Sequence, residues 1–142
     1  MTLEFSEVEA PATGEAIEEA EQTLGFKFPP KLRWLFQHAN GGRPDPCVYR
    51  TQHGATAVSE TLPLSKRPAS AMAMWRRLQK DDWGLRPALF PFAIDPGGNF
   101  FLVDCFSPSL DVYFLHFDRG LERPLEKLDV GFDAFWDRLE KA

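Results

Sequence analysis

Asp95-Pro96-Gly97-Gly98-Asn99 is the stretch of this 142-residue chain whose composition most suggests a binding loop. Paired glycines let backbone amides approach a phosphate. Such a cradle needs a helix starting directly after it, so that free N–H groups and the helix dipole point at the anion. Here the apolar run Phe100 to Phe106 follows instead, and the segment reads as the turn of a β-hairpin. Cys105 and His116 raise the question of a thiol nucleophile and its base, since neighbouring strands could bring them together. A reactive thiolate needs exposed, electropositive surroundings, whereas Cys105 lies among Phe101, Val103 and Phe106 and reads as a small buried hydrophobe. His38, His53 and His116 fall on a helix, a loop and a strand without HxxxH or HxH spacing. Of these, His38 lies beside a helix end and His116 should face a polar neighbour in its strand. No metal site or cofactor is expected from spacing. The serines form no GxSxG elbow, and no carboxylate pair is placed for acid–base work, so the chain reads as a non-enzyme.

Two features suit recognition rather than catalysis. Trp83 stands beside Asp81 and Asp82, and an aromatic among charges has the composition of an interface anchor. The competing reading is a tryptophan folded back onto the core. Glu15, Glu18, Glu19 and Glu21 make an acidic helix, either a solvated face or a docking face for a basic protein.

The elements that would position these residues are legible from local pattern. Thr13 caps a helix with Ile17, Ala20 and Leu24 at helical spacing, ended by Gly25. Pro29 and Pro30 open a second helix whose buried stripe is Leu32, Leu35, Phe36 and Ala39, stopped by Asn40-Gly41-Gly42 in the left-handed conformation. Arg43 to Pro46 reads as a loop, Val48 to Thr51 as a short extended piece, His53-Gly54 as a turn, and Val58 to Leu64 as an edge strand weakened by Pro63. A third helix spans about Ala69 to Lys80, with Met72, Trp75 and Leu78 near one face. Then comes a three-stranded meander: Leu89 to Ile94, Phe100 to Phe106 and Val112 to Phe117. The middle strand is apolar on both faces and should be central and covered on both sides. A last helix runs from Phe132 to Lys141. The class is α+β, an antiparallel sheet packed against helices, in a single domain over residues 1–142.

Composition narrows the partners. With 16 Lys+Arg against 21 Asp+Glu the net charge is −5, which argues against direct nucleic-acid binding and suits a basic partner. The two cysteines form no CxxC pair, the first residues lack a signal peptide's basic start and apolar core, and no run is long enough to span a membrane. A cytoplasmic location is expected.

IEEAEQTLGFKFPPKLRWLFQHANGG, Ile17 to Gly42, together with FPFAIDPGGNFFLVDC and VYFLHFD, resembles the signature of the SUKH superfamily, also called the Smi/Knr-like family. The resemblance implies an α+β fold with an antiparallel sheet against helices. In it Leu24, Gly25, Pro29 and the Asn40-Gly41-Gly42 stop shape a helical pair, while Pro91, Phe92, Ala93 and Gly98 shape the sheet. The chain departs from the common pattern at Leu32, where an aromatic is frequent. The resemblance further implies an immunity protein that binds and neutralises a cognate toxin domain, often a nuclease, or else a regulatory scaffold binding other cellular proteins. On the first reading Glu19, Asp45, Asp81, Asp82 and Trp83 are the expected contacts with a basic toxin.

Overall fold

Residues 3–81, 83–117 and 123–142 are described by a computed structural model of the chain. A short strand, β1 (Glu4–Ser6), precedes helix α1 (Gly14–Leu24). Thr13 Oγ1 accepts the Ala16 amide at 3.1 Å and Ile17, Ala20 and Leu24 are buried, as the spacing predicts. Gly25 ends the helix at φ 83°, in the left-handed region that glycine enters freely. Helix α2 (Pro30–His38) starts on a proline where no amide proton is missed and buries Leu32, Leu35 and Phe36. It stops at His38, before the expected Asn-Gly-Gly stop, and Asn40 does a different job. Its buried amide donates to Ala10 O at 2.9 Å and Leu64 O at 3.3 Å while its oxygen accepts Leu64 N at 2.9 Å. One side chain thereby ties three segments of the chain.

Strand β2 (Arg43–Asp45) pairs antiparallel with β1, placing Pro44 opposite Phe5. A loop was the expectation there; a two-stranded ribbon tolerates a residue that cannot donate. Strands β3 (Val48–Thr51) and β4 (Gly54–Ala57) form a hairpin with Gln52 and His53 at its tip. The edge strand expected over Val58 to Leu64 shrinks to β5 (Glu60–Thr61), next to the non-donating Pro63. Helix α3 (Ala71–Lys80) begins slightly later than expected because Ser70 caps it, its Oγ accepting Ala73 N at 3.2 Å.

Strands β6 (Leu89–Ile94), β7 (Phe100–Asp104), β8 (Asp111–Leu115) and β9 (Leu125–Gly131) complete a five-stranded antiparallel sheet in the order β5-β6-β7-β8-β9. The expected meander accounts for three of these strands and lacks β9. In β9 the buried positions are Glu126, Leu128 and Val130, alternating with exposed Lys127 and Asp129. A glutamate in a core position hides the period of two. Helix α4 (Phe132–Asp137) falls short of the expected end at Lys141, because Glu140 instead exchanges backbone hydrogen bonds with Val48.

β7 lies in the middle of the sheet, and Phe100 through Val103 are all buried, as its two apolar faces predict. On one face Phe101 meets the rings of Tyr49, Phe92, Phe114 and Phe135 at 4.7 to 6.4 Å. The β3–β4 hairpin and α4 therefore cover that face. On the other, Phe100 meets Phe117 at 5.8 Å. The aromatics are mainly core, and a few buried polar residues, among them Asp95, His116 and Glu126, stand out against them.

Candidate functional site

The Gly-Gly turn is filled by the protein itself. The buried Asp95 carboxylate accepts Gly97 N at 3.0 Å, Asn99 N at 2.8 Å, Asn99 Nδ2 at 3.0 Å and Thr56 Oγ1 at 2.8 Å. Gly98 takes φ 84°, and Asn99 Oδ1 accepts the Phe117 amide at 2.7 Å. The amides that a phosphate would need already serve a carboxylate, whose charge would also repel it. The turn is structural.

Cys105 and His116 are held apart by register. Phe100 pairs with Leu115 and Val103 with Val112, so His116 lies at the Asn99 end of β7 and Cys105 at the opposite end. Six residue steps separate the two ends, roughly 20 Å at the rise of an extended chain. Burial, followed by the charge of Asp104, pushes the Cys105 thiol up to about 12, so it stays protonated at neutral pH. His116 does face a polar neighbour: its Nε2 lies 2.8 Å from Glu126 Oε1, and Glu126 Oε2 accepts Gln52 N at 3.1 Å. His53, from the hairpin tip, approaches the His116 ring edge-on at 4.7 Å. No spacing rule links residues 53, 116 and 126; the pairing of Phe114 with Glu126 and the fold of the hairpin bring them together.

A groove of about 690 Å³ is bounded by β1, α2 and α4. Leu3, Phe5, Trp34, Leu35, Phe132 and Trp136 form its apolar walls. Lys31 and Asp133 form an ion pair at its edge, beside Asp137. Trp34 is the unusual member: it lies off the α2 stripe of Leu32, Leu35 and Phe36 and is 52% exposed. Its ring stacks on His38 at 4.5 Å, and the His38 Nδ1 bonds the Trp34 carbonyl at 2.9 Å. Trp136 is fixed from below by Phe5 at 5.6 Å and Phe132 at 5.7 Å.

The residues singled out from sequence lie elsewhere. Glu19 is exposed on α1, Asp45 is exposed at the end of β2, and Asp81 follows α3, 3.8 Å from Arg77. Trp83 is half-buried with its ring against Phe117 at 5.0 Å, and Arg77 lies over that same ring. Asp82 lies outside the described residues. Glu19, Asp45, Asp81 and Trp83 do not line the groove. Trp34 had a readable signal, an aromatic on the polar side of an amphipathic helix; Phe5 and Trp136, from the two ends of the chain, had none.

No helix among the described residues is long and apolar enough to cross a membrane. Compared with protein families, the chain matches the SMI1 / KNR4 family (SUKH-1) over residues 11–139. That span holds α1 to α4 and β2 to β9. No curated protein matches the chain.

Proposed function

Because the chain belongs to the SMI1 / KNR4 family (SUKH-1), we propose that it is an immunity protein, a non-enzymatic binder that neutralises a cognate toxin domain by docking it at the Trp34 groove. The observation that carries this reading is Trp34 itself. A large ring held half in water at the mouth of an apolar groove gains free energy when a partner covers it, at about 25 cal/mol per Å² of apolar surface. Tryptophan is enriched among the few residues that dominate interface energies. Stacking on His38 holds the ring in place, so little side-chain freedom remains to be lost on binding.

Charge supports a basic partner. At the groove edge Lys31 pairs with Asp133 while Asp137 remains, and the whole chain carries −5, which would accelerate encounter with a cationic domain and disfavour acidic ones. Glu19, Asp45 and Asp81, all exposed, belong to this steering exterior. Trp34 takes the anchoring role in preference to Trp83, whose ring is engaged with Phe117. Neutralisation then needs no chemistry from this chain: covering the toxin's active site or substrate path is sufficient.

Expression of the neighbouring gene's product with and without this chain tests the reading. Rescue of growth together with co-purification at equal stoichiometry is the expected result. A complex without rescue would move the protein to the regulatory-scaffold reading, and the absence of any complex would remove the neighbour as its toxin.

A further inference from the structure

We propose that His53, His116 and Glu126 bind a divalent transition-metal ion, with zinc the best chemical fit, and that the ion pins the β3–β4 hairpin to β8 and β9. Placing a histidine and a glutamate in a protein interior costs free energy unless their polar atoms find partners. Glu126 meets that condition, with Oε1 on His116 and Oε2 on the Gln52 amide. His116 does not. Its side chain is 1% exposed, and with Nε2–H donating to the carboxylate, Nδ1 is left as a buried lone pair without a partner among the described residues. The carboxylate faces Nε2 and not Nδ1, so a cation held by this cluster would take the place of the Nε2 proton as the positive partner of Glu126.

The donor set is already gathered. One ligand atom from each of the three residues lies within 4.8 Å of the others. Around a tetrahedral zinc, with nitrogen and oxygen ligands at about 2.0–2.2 Å, ligand atoms sit roughly 3.3 Å apart. His53, exposed at the tip of its hairpin, is the member able to close that gap by side-chain rotation. Two imidazoles and one carboxylate favour zinc, cobalt, nickel or copper over magnesium and calcium, which prefer oxygen alone. The Gln52 amide on Glu126 provides the outer hydrogen bond that usually orients a metal-binding carboxylate. Three protein ligands leave a fourth position for water.

The test uses the untagged full chain, stripped with a chelator, then titrated with zinc chloride by calorimetry and with cobalt chloride by visible absorption. The expected result is one ion per chain at micromolar affinity or tighter, with a cobalt spectrum of low coordination number. At hundredfold excess over Kd, zinc should raise the melting temperature by roughly 5–10 °C. His53→Ala removes an exposed side chain, so it should keep the circular dichroism of the parent while losing at least about tenfold in zinc affinity. Glu126→Gln, which retains the shape of the buried acid, should lose affinity as well. Unchanged zinc affinity in a folded His53→Ala variant, or no saturable uptake by the parent chain, overturns the proposal.

Discussion

Asp95→Ala is expected to lower the unfolding free energy by about 3 kcal/mol, which for a chain of this size is a fall in melting temperature of roughly 6–12 °C. The carboxylate is the hub of the β6–β7 turn, with four donors at 2.8 to 3.0 Å, and two of them are backbone amides of the turn itself. Truncation leaves the buried Asn99 amide and the Thr56 hydroxyl searching for acceptors, and each unsatisfied buried donor costs about 1–3 kcal/mol. Part of that cost is recovered where water reaches the more exposed Gly97. Asp95→Asn is the informative control. It keeps an oxygen for the two backbone amides but sets an NH₂ against Asn99 Nδ2, so it should fall between the parent and alanine. Chemical denaturation followed by circular dichroism measures all three; a loss under about 1 kcal/mol for alanine would show that the turn holds without its hub.

Trp34→Ala is expected to weaken the complex with the partner by about 2–3 kcal/mol, or roughly 30- to 150-fold in Kd, while leaving the fold within about 1 kcal/mol of the parent. The asymmetry follows from where the ring sits. Half of it already faces water and its main contact is one stacked imidazole, so the free protein loses little when it is removed. A partner that covers it loses its anchor. Trp83→Ala makes the contrast, because that side chain packs on Phe117 and its loss should register mainly in stability. Calorimetric titration of the purified partner into each variant, beside a thermal melt, separates the two effects.

Local signals made the first half of the fold readable. Thr13, the Ile17-Ala20-Leu24 spacing and Gly25 determine α1 within a dozen residues, and the same holds for the buried stripe of α2. Aromatics on both sides of β7 marked it as central, which the five-stranded order confirms. What escaped depends on distant partners. The β1–β2 ribbon exists because Glu4 to Ser6 lie beside Arg43 to Asp45, and α4 ends early because Glu140 pairs with Val48. β9 escaped for a chemical reason, since Glu126 breaks its apolar alternation in order to meet His116 inside the protein.

The groove and the histidine cluster follow the same rule. Trp34 could be noticed as an aromatic off its helix stripe, but its neighbours Phe5 and Trp136 come from opposite ends of the chain. The acidic loop around Trp83 drew attention by composition; in the fold its tryptophan is turned toward Phe117, the arrangement that the burial habit of tryptophan favours. Composition identifies residue types suited to interfaces, whereas exposure decides which of them are available.

On the proposed function, the protein acts by presenting the Trp34 groove to another protein, on a scaffold built by its turns and buried aromatics. Amide hydrogen exchange of the purified complex against the free chain tests it most directly. The largest slowing on binding should fall in α2 and α4, the helices that carry Trp34 and Trp136. Unchanged exchange in both helices, with slowing confined to other segments, would contradict it.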